Sequence, residues 1–213
     1  MMMDGDTMDV GAVAGLRRIK NVISVARKVL THTYHSLIVG DSATAFAVSQ
    51  GFKEMSLTTS HSAEAFTKWL KTKKPDYYKP VDEAPNSKHN NFGHDTIGMI
   101  AMDKTGSIAC GTSTNGASFK IPGRVGDSPI AGAGAYCQTG VGGAASTGDG
   151  DQLMRFLPSF AAVNYMAAGM SPTKACEKAV EPIKKFYPHA DGAVICMNAK
   201  GEYGGAKLGF PTW

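Results

Sequence analysis

Residues 96–112 read TIGMIAMDKTGSIACGT: two apolar runs, Thr96–Met102 and Ser107–Thr112, joined at Asp103-Lys104-Thr105-Gly106. Apolar runs of this length around a polar turn with glycine predict an antiparallel hairpin. Downstream, a strand is expected near Ala131–Cys137, then a helix over Gly150–Ala168 with Leu153, Phe156, Phe160, Val163 and Met166 toward the core. A second helix begins at Ser171-Pro172, where proline takes its favoured first position, and runs to about Phe186. Ala193–Asn198 and the stretch around Tyr203 predict a closing hairpin. Upstream, Ala12, Leu16, Ile19, Ile23, Ala26 and Leu30 recur at helical spacing, so Gly11–Leu30 is expected to be an amphipathic helix. A short strand at Ser36–Val39 precedes a helix capped by Ser42 and ending near Gln50. Ser60 or Ser62 caps a third, with Ala63, Phe66 and Leu70 on one face. From Pro75 to Asn91 the chain has three prolines and a polar run without periodicity, which reads as a linker. Helices segregated from hairpins predict α+β layers, not a doubly wound parallel sheet.

At 213 residues, 43% hydrophobic and 19% charged, the chain has the make-up of one ordinary globular domain. The net charge of +4 gathers in the lysines of Lys68–Lys88, and no recognition motif accompanies them, so no nucleic-acid partner is expected. The sequence holds no run of about 18 apolar residues, and no membrane association is expected. Met1-Met2-Met3-Asp4-Gly5-Asp6 carries neither a basic nor an apolar leader pattern. Among Cys110, Cys137, Cys176 and Cys196 none has CxxC spacing, so no zinc site is expected; no cofactor is expected either. Cys110 lies in an apolar strand and reads as a small core residue.

Four segments are rich in glycine and small polar residues beside apolar runs: 93–96, 111–116, 123–129 and 146–151. Singly they read as a linker end, a hairpin turn, a charged loop and a helix N-cap. Asp149 and Asp151 read as first-turn acids favouring the helix dipole.

Together, GHDTIGM, GTSTNG, GRVGDSPIAGAGAY, STGDGDQLMRFLPS and GAVICMNAKGEYGGA stand in the order and at the intervals of the glycosylasparaginases, and the chain resembles that family of N-terminal-nucleophile hydrolases. The stretch Met3–Gly40 resembles the family's upstream region. The resemblance implies a four-layer α-β-β-α sandwich. It also implies cleavage between Asp95 and Thr96, dividing one hydrolase domain into an α part, 1–95, with its linker at 75–95, and a β part, 96–213. Thr96 would then own a free α-amine beside its hydroxyl, so one residue supplies nucleophile and base, with the amine titrating near neutrality. His94 and Asp95 match positions that strain or assist the cut, and Thr114 a second threonine set against the nucleophile. Arg124 and Asp127 match a clamp for the substrate's α-carboxylate and α-ammonium. Thr147 and Gly148 match an oxyanion hole, and Cys176 and Cys196 a disulfide; Cys137 has no assigned partner. The implied substrate is N-acetylglucosamine joined to asparagine, the implied assembly a homodimer of cleaved protomers, and the implied compartment the lysosome. The sister group, plant-type asparaginases and isoaspartyl peptidases, shares the threonine and the clamp. Asn115, where that group usually has a second glycine, and the run Gly150–Arg155 favour the first assignment. Against the family pattern, Met1 falls inside the expected first strand–helix segment, with its substrate-contacting tryptophan, and Trp213 falls before an expected strand. A truncated, non-catalytic chain is therefore the remaining alternative.

Overall fold

The computed structural model describes residues 1–73, 77–78 and 95–210. His94 and most of the linker at 75–95 lie outside the described residues. The described residues form two sheets and six helices. In the first sheet, β1 (Met2–Asp4), β2 (Val10–Ala14), β3 (Leu37–Val39), β4 (Thr96–Met102) and β5 (Ile108–Thr114) lie in the order β3-β2-β1-β5-β4. The second has β6 (Ala135–Gln138), β7 (Gly142–Gly148), β8 (Gly192–Asn198) and β9 (Tyr203–Leu208) in sequence order, every pair antiparallel.

The hairpin at the centre of the sequence forms as expected. β4 and β5 pair from Thr96↔Thr114 to Met102↔Ile108, and the Asp103 carboxylate caps the turn by accepting from the Thr105 and Ser107 N–H groups. β8 and β9 form the second expected hairpin. The expected helix Gly11–Leu30 is instead two elements, β2 and α1 (Val22–His32). Its apolar spacing merges two environments: Ala12 faces the gap between the sheets, whereas Val13, Ile19, Val25, Ala26 and Val29 share a separate cluster with Ala47. β2 and β3 are parallel, so α1 is the crossover that such a pair requires. A Cβ on Gly11 would come within 2.2 Å of the Ala26 carbonyl, which is how closely α1 lies on β2.

The helix expected over Gly150–Ala168 is also divided, into α4 (Gly150–Leu153) and α5 (Pro158–Ala167). Pro158 has no N–H and would crowd the carbonyl of Met154, and Leu157 before it takes φ +50°. α2 (Gly40–Ser49) starts earlier than expected, and α3 (Ser60–Thr72) is capped by Thr59, with Ser62 reciprocating at its third position. The expected inward face of α3 is not buried: Phe66 and Leu70 are 49% and 43% exposed. Trp69 instead stacks on Phe66 and on Phe119 of the loop after β5, the latter pair with centroids 5.2 Å apart. α6 (Pro172–Phe186) buries Ala175, Cys176, Ala179, Val180 and Ile183 and is bonded to β8 through Cys176–Cys196.

Neither β1 nor β7 is marked as a strand by the sequence, and the composition of β7, GGAASTG, follows from its place. Ala144 packs toward α5 and α6, whereas Gly143 and Ala145 face the other sheet. A Cβ on Gly143 would lie 2.6 Å from Ile100 Cγ2, and one on Gly98 would lie 2.7 Å from the Ala145 Cβ. Such residues have little strand propensity, and only close packing makes them a strand. Cys110 and Cys137 sit in this inter-sheet cluster as buried free thiols. Contact with Cys137, together with burial, drives the Cys110 thiol upward, and the Cys137 sulfur lies 3.5 Å from the Met3 carbonyl.

This packing predicts that Gly98→Ala destabilises the chain by about 1–3 kcal/mol through overpacking. Adding Ala145→Gly removes the opposing methyl and should recover at least half of that loss in denaturant unfolding. Simple additivity of the two substitutions would show that the methyl positions do not meet.

Candidate active site

Two facing pairs, Ile100 with Gly143 and Gly98 with Ala145, set a register between the sheets. Side chains two residues apart on a strand share a face, so the next step of that register puts Thr96 of β4 opposite Thr147 of β7. Thr96 and Thr114 are cross-strand partners, with their hydroxyl oxygens 3.0 Å apart. The Thr114 hydroxyl also donates to the carbonyl oxygen of Asp95 at 2.7 Å and accepts from the Gly116 N–H at 2.8 Å. A hydroxyl has one proton. With that proton on the Asp95 carbonyl, Thr96 is the donor to Thr114, and its own oxygen keeps its lone pairs beside the carbonyl that joins it to Asp95.

The loop after β5 is fastened to the same hairpin. Thr112, buried in β5, donates to the Ser128 carbonyl at 2.6 Å, fixing the 123–129 segment on the strand that carries Thr114. Arg124 stands in this loop at 17% side-chain exposure. Its Nε and Nη2 reach Asp151 of α4 at 3.0 and 2.8 Å. Asp149 is the cap of α4, accepting from the Asp151 and Gln152 N–H groups. Both acids stand at the helix start, as their sequence reading has them, Asp149 as the cap and Asp151 in the first turn; Asp151 also turns its carboxylate to Arg124. The pair spans 27 residues of sequence, so local spacing carries no sign of it.

Asp127 is 6% exposed, and its Oδ2 has no hydrogen-bond partner. Desolvation pushes its carboxyl from 3.8 up to about 6, against the opposing pull of its own and the Ser128 N–H groups and of Arg124. Gly148 ends β7 at φ +141°, and a Cβ there would lie 2.3 Å from the Asp191 carbonyl, so its backbone is closely held. Lys120, which the sequence reading passed over, donates to the Asn115 and Ala117 carbonyls; burial and then Arg124 lower its pKa, while Asp95 opposes this. Tyr77 was also passed over. It donates to the Ser118 carbonyl at 3.0 Å, and its phenol is raised by burial within electrostatic reach of Arg124, Asp151 and Asp149. Only chain folding brings 77, 95–96, 114–127 and 147–151 together, and no local signal marks Tyr77 or Lys120. Among the described residues no His/Cys/Asp/Glu group has metal-ligand geometry, and no helix is long and apolar enough to cross a membrane.

A threonine pair set against a backbone carbonyl, beside a guanidinium and an unpartnered buried carboxylate, is equipped for acyl chemistry on a small charged molecule. The chain belongs to the asparaginase family, whose model, Asparaginase_2, matches residues 1–208. It is 54% identical to the rat protein named N(4)-(beta-N-acetylglucosaminyl)-L-asparaginase over 233 aligned positions, covering all of this chain and 68% of the rat protein. The mouse protein of that name is 51% identical, again over the whole chain and 68% of its own length.

Because the folded Asp127 carboxyl holds its proton more tightly than the unfolded one, its contribution to stability is present below about pH 4 and is lost as pH rises through about 6. A shift of two units corresponds to about 2–3 kcal/mol. Asp127→Asn is therefore expected to raise Tm at pH 7, with the gain shrinking toward pH 4 in parallel thermal melts. A lower Tm at pH 7 would mean that the ionised carboxylate stabilises the fold.

Proposed function

We propose that this chain is an amidohydrolase that cleaves the N4-(N-acetylglucosaminyl)-L-asparagine linkage, working from a threonine freed by cleavage between Asp95 and Thr96. The observation that carries the reading is the relay from Thr96 to Thr114 to the Asp95 carbonyl, at 3.0 and 2.7 Å. The Thr114 hydroxyl polarises that carbonyl while the Thr96 oxygen adds to its carbon. The C–N bond breaks as the Thr96 hydroxyl proton passes to the nitrogen, the acyl group moves to oxygen, and the nitrogen leaves as the α-amine of Thr96. Water then opens the ester, giving parts of 95 and 118 residues. The freed amine takes the Thr96 hydroxyl proton as the oxygen attacks the side-chain amide of the substrate. Thr147 and the Gly148 N–H receive the charge growing on the amide oxygen, a contribution of about 2.7–4 kcal/mol for one such donor. The glycosylamine leaves with a proton, and water releases aspartate from the acyl-enzyme.

Arg124 and Asp127 bind the carboxylate and ammonium of the aspartyl part. The Asp127 Oδ2, buried and unpartnered, is a site that an ammonium would fill. The same reading takes the three apolar clusters as the interiors of the four-layer α-β-β-α sandwich of N-terminal-nucleophile hydrolases.

The test is the mass of the purified protein and its activity on glycosyl-asparagine beside a β-aspartyl dipeptide. Two parts are expected from the wild type and one intact chain from Thr96→Ala, with preference for the glycosyl substrate. Nicking that persists in Thr96→Ala would assign the cut to another protease, and preference for the dipeptide would move the chain to isoaspartyl peptidase chemistry.

A further inference from the structure

The ion pair between Arg124 and Asp151 is geometrically selective. A guanidinium has two edges that receive a carboxylate in parallel, the side edge, Nε with one Nη, and the end edge, Nη1 with Nη2. Asp151 occupies the side edge, with Oδ2 at 3.0 Å from Nε and 2.8 Å from Nη2, and Oδ1 at 3.3 Å from Nε. Nη1 donates to no described residue, so the end edge is left for something else.

The surroundings hold that edge in place. A Cβ on Gly126 would stand 2.8 Å from Nη1 and 2.9 Å from Cζ, one on Gly116 3.2 Å from Nη1, and one on Gly150 3.1 Å from Nη2. The group thus lies in a slot walled by three residues without side chains, closed along its flank by a carboxylate. The Gly150 position is also 2.5 Å from Asp127 Oδ1, so the slot runs directly beside the buried acid. Asp151 lies in the first turn of α4, but the capping hydrogen bonds are made by Asp149, which leaves the Asp151 carboxylate available to Arg124.

We propose that Asp151 is a positioning residue for substrate recognition: it holds the Nε–Nη2 edge of Arg124 so that the free end edge meets an α-carboxylate while Asp127 takes the neighbouring ammonium. This rests on the reading of Arg124 as the carboxylate clamp. Asp151 itself touches no substrate. Its effect is to remove the rotamer freedom that Arg124 would otherwise lose on binding. It therefore acts on the affinity for one particular group of the substrate.

Three N-acetylglucosaminyl amides separate this role from a general structural one: the side-chain amide of aspartic acid (glycosyl-asparagine), the mono-amide of succinic acid, which lacks the ammonium, and that of β-alanine, which lacks the carboxylate. Asp151→Asn is expected to raise KM for the first two by about 10-fold with kcat within about 3-fold, and to leave the β-alanine amide unchanged. Asp151→Glu should recover part of the affinity, and mass analysis should show the wild-type extent of cleavage at Asp95-Thr96 in both variants. Equal losses on all three amides, or none on any, would overturn the inference. If the wild type turns over none of them, the function reading fails by itself, and calorimetry with L-aspartate and β-alanine decides the inference. A loss of affinity in Asp151→Asn confined to L-aspartate supports it; equal affinities in variant and wild type, or no L-aspartate binding by the wild type, overturn it.

Discussion

The close approach of the two sheets governs the rest of the structure. Where Gly98 meets Ala145 and Gly143 meets Ile100, no further carbon fits between the facing strands. Interiors at crystal-like density transmit such constraints, since a misfit of one methyl displaces whatever rests on it. The contact fixes the register between β4 and β7, and with it the ends at which Thr96 and Thr147 emerge. It also explains why a strand at the centre of the molecule is built from glycine, alanine, serine and threonine. Larger residues would form a better isolated strand and a worse interface.

Outside that contact the framework is conventional, and it isolates the site from its supports. The hydrophobic cluster beneath α5 and α6 is tied by Cys176–Cys196, whereas the charged groups of the site gather in the loops after β5 and β7. The loop after β5 is held by hydrogen bonds from buried hydroxyls. Thr112 grips the Ser128 carbonyl, and Ser146 and Ser159 both donate to the Ala133 carbonyl. Each places a loop that has little apolar surface of its own on a rigid strand or helix. Precision at the site therefore comes from a few satisfied buried donors.

The charged groups show the opposite economy. Asp127 is kept dry and one oxygen short of partners, which raises its proton affinity and opposes folding at neutral pH. Arg124, by contrast, is fully engaged along one edge and half-enclosed by backbone. An unpartnered acid beside a braced cation is a poor arrangement for stability. It suits a ligand that brings the missing opposite charges.

What the sequence determined by itself is local. The β4–β5 and β8–β9 hairpins and α6 were legible because turn chemistry, strand-length apolar runs and a first-position proline act between neighbours. Singly, the segments around Thr96, Thr114, Arg124, Asp127 and Thr147 read as a linker end, a hairpin turn, a charged loop and a helix cap; only their joint resemblance to a known family made them legible as candidate chemistry. Tertiary structure alone decided the remainder. β2 and α1 were merged in the reading because burial against two different clusters imitates one helical period. β7 was invisible because its residues are chosen by a facing sheet, and α3 exposes the face that its spacing marked as inward. Asp151 read as a helix-start acid, since within its own segment it is one; its bond to Arg124 exists only after two loops meet. Propensity and periodicity report what a residue does within a few positions of itself. Contacts between sheets and between loops are fixed by packing across long sequence separations, where no local pattern records them.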